Sequence, residues 1–257
     1  MQTADIADLI VEAAERIILP RYQALGAGEV MEKKPGDYVT VADQQTEVYL
    51  TERLRAAYPD AAVLGEEASV TDPSLVEAFD AAGHGWVMDP IDGTKNFVNG
   101  SPDFAVMLAE TRDGTVERSW IWQPIHRRMY IAERGRGATR NGTPITTAPA
   151  AHPFRGVADR RWVGETMGGA ASPVRLQAMC AGVDYPLLAE GVHDFMIYRG
   201  QNSWDHLPGI GIVTEAGAVA RTYEGVDYGP GVHGSYLIVA RDDRAWRELR
   251  AGAPVPQ

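Results

Sequence analysis

Trp86-Val87-Met88-Asp89-Pro90-Ile91-Asp92-Gly93-Thr94-Lys95-Asn96-Phe97 is the stretch on which the fold turns. A short apolar run of this kind reads as a buried strand, and here it ends in two aspartates. Strands of α/β proteins build sites at their C-terminal ends, so both carboxylates stand where a site is expected. Two hard oxygen ligands this close suit a divalent cation such as Mg²⁺. The backbone N–H groups of Gly93 and Thr94 open a segment that can turn helical, which suits a phosphate. Together these features imply metal-assisted phosphate chemistry.

Working upstream, Ala61 to Leu64 reads as a second short strand that runs into Gly65-Glu66-Glu67. A helix from near Pro73 separates it from the aspartate stretch, giving strand, helix, strand, with acids at the outgoing end of both strands. Before that, Asp43 reads as the N-cap of a helix to Ala57, with Leu50, Leu54 and Ala57 on one face and Pro59 as its stop. Gly26 to Gly36, with Glu32, Lys33 and Lys34, reads as strand edges and a loop. Thr3 to about Leu25 reads as a helix capped by Thr3, with Ile6, Leu9, Ile10, Ala13 and Ile17 on one face and an interruption at Pro20.

Downstream, Phe104 to Glu110, Val116 to Trp122 and Met129 to Glu133 read as an antiparallel meander, with turns at Arg112-Asp113-Gly114-Thr115 and Asn141-Gly142. Proline, glycine and scattered charge from Ala148 to Gly169 place a boundary there. It divides one compact unit into an N-terminal half, 1–147, and a C-terminal half, 148–257. Ser172-Pro173 has the signature of a helix start, and Phe195 to Tyr198 that of a strand. Trp204-Asp205-His206 opens a further helix, with Pro208 expected in its first turn and Gly217 as its stop. Asp205 thus lies at a helix N-terminus, where capping is its simplest role. Leu237 to Ala240 closes as a strand, followed by a helix from about Asp243.

The chain has 257 residues, 45% hydrophobic and 23% charged, the composition of a globular protein. Its net charge of −11 speaks against a basic groove for nucleic acid. The same charge repels a phosphate monoester unless bound cations reverse the local field. No apolar run approaches the roughly 20 residues of a membrane helix. Met1-Gln2-Thr3-Ala4-Asp5 lacks the basic start of a secretory signal. The single cysteine, Cys180, precludes an internal disulfide. A cytoplasmic location is the expectation.

Glu66, Asp89, Asp92 and Asp205 together bring out a likeness. Gly65-Glu66-Glu67, Asp89-Pro90-Ile91-Asp92-Gly93-Thr94, and Trp204-Asp205 followed by Ala216-Gly217 resemble the motifs of the inositol monophosphatase family, in order and spacing. Asp37-Tyr38-Val39-Thr40-Val41-Ala42-Asp43 extends the match, which runs from roughly Ile6 to Ala240. The resemblance implies an α/β/α/β/α sandwich, commonly a homodimer, with two to three Mg²⁺ ions per subunit and sensitivity to lithium. By the same resemblance, Glu66, Asp89 and the carbonyl of Ile91 would hold one ion, and Asp89, Asp92 and Asp205 a second. Glu66 would contribute to a third, weaker site near the Lys33/Lys34 loop. Thr94, backed by Asp43, would orient or deprotonate the attacking water, and Gly93 and Thr94 would hold the phosphate.

Two other readings compete. A haloacid-dehalogenase phosphatase uses Asp-x-Asp-Gly-Thr, one residue shorter than the motif here. A non-catalytic homodimer that binds a partner protein would show no turnover of phosphate monoesters. Substrate choice stays open. Inositol-specific relatives often carry a glutamate where this chain has Tyr198, and a neutral phenol accepts polyol hydroxyls less well. Their Gly-Ser/Thr-Ala segment corresponds to Met179-Cys180-Ala181. Lys95 and Arg199 are either surface cations or contacts to the substrate, as Asp205 is in part. Inositol monophosphate or a related sugar or polyol phosphate is the first expectation; histidinol phosphate and 3′-phosphoadenosine 5′-phosphate are the alternatives.

Overall fold

A computed structural model of the protein describes residues 1–232 and 234–254. Among the described residues, two main sheets form. The first runs β3 (Ala62–Gly65), β4 (His84–Asp92), β5 (Ala105–Arg112), β6 (Thr115–Gln123), β7 (Arg128–Glu133), β8 (Gly137–Arg140) and β9 (Thr143–Ile145) in that spatial order. Only β3 and β4 are parallel; the rest is the expected antiparallel meander. The second sheet has the order β11 (Arg175–Leu176), β10 (Gly156–Ala158), β12 (Phe195–Tyr198), β14 (Leu237–Ala240), β13 (Val219–Thr222). A separate hairpin joins β1 (Val30–Lys34) to β2 (Asp37–Thr40).

The layers follow from strand periodicity, since alternate side chains face opposite ways. From the first sheet, Trp86, Met88, Val106 and Leu108 pack against α1 (Thr3–Ala13) and α2 (Val41–Ala57), through Ile6, Ile10, Leu50 and Leu54. The intervening Val87, Met107 and Ala109 face inward to α6 (Ala181–Ala189) and α7 (Ser203–Glu215). There Tyr185, Leu188, Leu207 and Ile212 also meet Met196 and Val239 of the second sheet. Phe195, Ile197, Ile238 and Ala240 point outward to Trp246 and Leu249 of α8 (Asp243–Gly252). The result is the α/β/α/β/α sandwich, with α6 and α7 as its central layer.

Several local expectations are corrected. The first helix is capped by Gln2, not Thr3: Gln2 N–H donates to Asp5 Oδ2 at 2.7 Å. After Ala13 the helix continues as a wider turn over Ala14–Ile18 and a tight turn over Leu19–Arg21, ending short of Leu25. Pro20, which has no N–H to donate, stands in that last turn. The cap of α2 is Thr40, whose hydroxyl accepts from Ala42 N–H at 3.1 Å; Asp43 is its third helical residue. No helix starts at Ser172-Pro173. The segment's backbone is spent laterally, with Val174 N–H on the Glu165 carbonyl and Gln177 N–H on the Ala158 carbonyl. Pro208 lies in the second turn of α7, where it costs one helical hydrogen bond.

Candidate active site

The site begins with a β-bulge. In β4, Asp89 stands opposite Met107 and Asp92 opposite Ala105, so three steps along one strand match two along the other. In a regular strand, residues three apart face opposite ways. The extra residue at Pro90-Ile91 brings both carboxylates to one side. Asp205, in the first turn of α7, completes the group: one ligand oxygen from each of Asp89, Asp92 and Asp205 lies within 4.8 Å of the others.

Each carboxylate is oriented by neutral donors. Asp89 Oδ1 accepts from Ile91 N–H at 3.0 Å. Asp92 Oδ2 accepts from Gly182 N–H at 2.5 Å and from the Cys180 thiol at 2.9 Å. Asp205 Oδ2 accepts from the Asn202 amide at 3.1 Å. Gly182 must be a glycine, because a Cβ there would run into Ala105. Burial, and then mutual repulsion with Glu66 foremost, holds Asp89 and Asp205 well above the usual carboxylate range. Asp92 is pushed up to about 6, again by burial first. Buried like charges this close need a counter-charge, and none of the donors that orient them is a cation. The all-oxygen donor set fits a hard divalent ion.

Glu66 stands beside this group, outside it. The parallel register of Gly65 with Met88 sets Glu66 level with Asp89, as the first residue of α3 (Glu66–Thr71), from which α4 (Ser74–Asp80) leads on to β4. Its carboxylate accepts from Lys33 Nζ at 2.7 Å, and Glu67 accepts from the same ammonium at 3.0 Å. Burial works against the Lys33 charge, but Glu66 and Glu67 outweigh it and raise its pKa. Lys33, not Lys34, therefore reaches the site. Behind them, the buried Glu47 accepts the N–H groups of Glu67 and Ala68, both at 2.8 Å.

Thr94 opens α5 (Thr94–Val98), with Gly93 before it at φ +81°, a left-handed turn that favours glycine. The Thr94 hydroxyl lies 3.1 Å from Asp43 Oδ1 and 2.9 Å from the Ile91 carbonyl. Asp43 is fully buried, its other oxygen bound by the N–H and hydroxyl of Thr40. Burial raises its pKa to about 6 against the pull of those bonds. Asp43, Glu66, Asp89, Ile91, Asp92, Thr94 and Asp205 thus converge from five separate elements.

A cleft of about 650 Å³ opens from Asp92 and Asp205. Tyr198 and Arg199 line it; Lys95 does not, and is exposed. Tyr198 donates its hydroxyl to Asp184 Oδ2 at 3.0 Å. Asp184 is buried, and that burial pushes its pKa up to about 7. His206 also lines the cleft but is spent structurally, with Nε2 2.7 Å from the Gly200 carbonyl and Nδ1 2.9 Å from the Tyr185 hydroxyl. Burial takes its pKa down to about 4. Sequence reasoning missed Asp184 and Glu47. Both carried a signal: Asp184 is the one charge in the apolar run Ala181–Ala189, and Glu47 lies one helical turn from Asp43, on the same face.

The model of the inositol monophosphatase family matches residues 2–254. The chain belongs to this family. It is 32% identical over 241 residues to the Nus factor SuhB of Pseudomonas aeruginosa, covering 86% of this chain and 85% of that one. It is 31% identical over 211 residues to the inositol-1-monophosphatase of Rhizobium meliloti, covering 77% and 76%. A Thermotoga maritima IMPase has the same fold, with a TM-score of 0.80 at 24% identity and 98% of each chain covered. A staphylococcal IMPase-I complexed with products superposes with a TM-score of 0.82 at 21% identity, covering 99% and 97%. As a member of the inositol monophosphatase family the chain is a phosphoric monoester hydrolase, and its acidic cluster accords with dependence on a divalent metal. That assignment sets aside the haloacid-dehalogenase reading of Asp89 as a nucleophile.

Proposed function

We propose that the protein hydrolyses inositol monophosphate or a related sugar or polyol phosphate by direct attack of water, with Mg²⁺ as cofactor. One observation carries this: three carboxylates, those of Asp89 and Asp92 buried and that of Asp205 half-buried, held by neutral donors, converge beside a Thr94–Asp43 hydrogen bond. Glu66, Asp89 and the Ile91 carbonyl would hold one ion, Asp89, Asp92 and Asp205 a second, and Glu66 would share in a weaker third beside Lys33. Bound there, Mg²⁺ supplies the acidity that makes water a nucleophile near neutral pH and the charge that balances the leaving alkoxide. Asp43 Oδ1 takes the hydroxyl proton of Thr94, which leaves a lone pair on Thr94 Oγ1 to orient the water or accept its proton. The N–H groups of Gly93 and Thr94 hold phosphate oxygens. No covalent intermediate is needed, because phosphoryl transfer is chiefly positioning and charge stabilisation.

The cleft also favours a second reading. Arg161 and Arg199 both line it, Arg161 paired there with Asp159 at 3.3 Å, and guanidiniums at this position suit an ester with a second anion, such as an adenosine bisphosphate. The two halves, 1–147 and 148–257, act as one unit in this proposal, as a homodimer in the cytoplasm. No helix among the described residues is long and apolar enough to cross a membrane.

The test is phosphate release with Mg²⁺ or with EDTA from inositol phosphates, histidinol phosphate, fructose 1,6-bisphosphate and 3′-phosphoadenosine 5′-phosphate. Turnover of a polyol phosphate that vanishes in EDTA is the expected result. No turnover of any ester favours a non-catalytic, partner-binding dimer. Asp89→Asn removes the shared ligand, so the rate falls by well over tenfold, metal Lewis acidity being worth several kcal/mol. Retention of more than about a tenth of the rate refutes the two-ion site.

A further inference from the structure

Resting on the assignment of the cleft as the active site, we propose that Asp184 is a positioning residue: by gripping Ala178 and Tyr198 at once, it fixes the wall that reads the alcohol portion of the substrate.

Three costly features meet at this point in the fold. The first is Asp184 itself, 1% exposed. Its carboxylate accepts Ala178 N–H at 3.2 and 3.1 Å and the Tyr198 hydroxyl at 3.0 Å, and none of these partners is a cation. A buried carboxylate with only neutral partners is expensive, and an apolar side chain in α6 would avoid that expense. The second is Met179, which holds φ +58° without being a glycine. A left-handed backbone costs such a residue about 1 kcal/mol or more and persists only where its surroundings impose it. The third is a second grip on Ala178. Asn96 Nδ2, one residue beyond Lys95 on α5, donates to the Ala178 carbonyl at 3.1 Å and to the Asp103 carbonyl at 2.8 Å.

Ala178 is therefore clamped at its N–H by α6 and at its carbonyl by α5, the helix that Thr94 begins. The residues beside it, Gln177, Met179 and Cys180, all line the cleft. Cys180 continues the connection to Asp92 through its thiol. On the other side of Asp184, Tyr198 spends its only proton on the carboxylate, so it meets the cleft as a ring and an acceptor oxygen. One carboxylate thus sets two walls built from segments distant in sequence, 177–180 and β12.

Two measurements on the full-length protein test this, one independent of turnover. Hydrogen exchange of the amides in 177–182 should speed up about tenfold or more in Asp184→Ala, with Asp184→Asn, which keeps an acceptor, intermediate. In kinetics, Asp184→Ala should raise KM about tenfold for the preferred polyol ester and proportionally less for methyl phosphate, which offers almost no alcohol portion to read. Tyr198→Phe removes one hydrogen bond and leaves the Asp184 carboxylate on Ala178 N–H, so it should show about a threefold effect of the same kind, the size of one hydrogen bond. Adding it to Asp184→Ala should change nothing further. Unaltered exchange overturns the inference, as does faster exchange with KM changed equally for all esters or not at all. If the parent protein turns over no ester, the assignment of the active site fails instead, and exchange alone decides whether Ala178 is clamped.

Discussion

Replacing Asp92 by asparagine should make the metal-free protein more stable while disabling it. The Asp92 carboxyl is raised to about 6 in the folded chain from 3.8, with burial as the main cause. A raised carboxylate pKa means that the folded state holds the proton more tightly than the unfolded one. The stability this confers is complete below about pH 4 and is lost as pH rises through about 6. At pH 7.5 without metal, ionised Asp92 therefore weighs on the fold by about 3 kcal/mol, two pKa units at roughly 1.4 kcal/mol each. Asparagine cannot ionise. Its oxygen still accepts from Gly182 N–H, and the stronger hold of the charged form on Gly182 and Cys180 is already contained in the pKa of about 6. The gain of about 3 kcal/mol corresponds to a rise of roughly 6–12 °C in melting temperature for a chain of this size. Calorimetry in EDTA at pH 7.5 and at pH 4 measures it. The gain should appear at pH 7.5 and vanish at pH 4, where the parent carboxyl is already protonated. Saturating Mg²⁺ should reverse the order, since a ligand at about 1,000 times its Kd adds about 4.1 kcal/mol to the parent. An Asp92→Asn protein less stable than its parent in EDTA at pH 7.5 would refute the reasoning: the bonds to Gly182 and Cys180 would then outweigh the repulsion.

Three further substitutions probe the surroundings of that cluster. Thr94→Ala removes the oxygen that Asp43 activates, so kcat should fall about a hundredfold with KM little altered, as read by initial rates across substrate concentration; a drop of less than threefold would remove Thr94 from the chemistry. Gly65→Ala puts a Cβ into the Glu47 carboxyl, which must release Glu67 and Ala68. A loss of about 2 kcal/mol or more in denaturant unfolding is expected. Tyr198→Glu, which restores the carboxylate of inositol-specific relatives, sets that carboxylate against Asp184. Thermal unfolding near neutral pH should show a less stable protein, and the substrate panel no gain for inositol phosphate; an improved inositol phosphatase would show that Tyr198 turns freely into the cleft.

What could be read from the chain was what lies close together in it. Trp86 to Asp92 announced a buried strand ending in carboxylates because apolar run and acids are contiguous. The alternation of Trp86 and Met88 with Val87 already held the two faces of the first sheet. The bulge was not legible: nothing in Asp89-Pro90-Ile91-Asp92 states that β5 will oppose four residues with three. The Ser172-Pro173 signal is a genuine local preference for starting a helix. It lost to lateral backbone bonds with Glu165 and Ala158, which exist only once the second half has folded. Asp43 was misplaced by a smaller margin: Thr40 and Asp43 together make a capping box, and the residue three places earlier holds the cap. Asp184 stood out as the one charge in an apolar run, but its role was not legible. That role lies in Ala178 and Tyr198, and no spacing rule links residues on a loop, a helix and a strand.

The donors around the carboxylates explain why this arrangement suits a cation. Asp89, Asp92 and Asp205 are aimed by a backbone amide, a backbone amide with a thiol, and a side-chain amide. An arginine or lysine among them would orient a carboxylate equally well, but it would also cancel the charge and occupy the space of the ligand. Neutral donors fix geometry and leave the repulsion in place. A divalent ion bound there would relieve that repulsion, which the folded protein carries when no metal is bound. Lys33 marks the limit of the principle, because it is spent on Glu66 and Glu67, beside the three-carboxylate group and outside it. Glu66 is consequently the one expected ligand already partnered by a side-chain cation. An ion there must compete with the Lys33 ammonium, whereas the group formed by Asp89, Asp92 and Asp205 presents no such competitor.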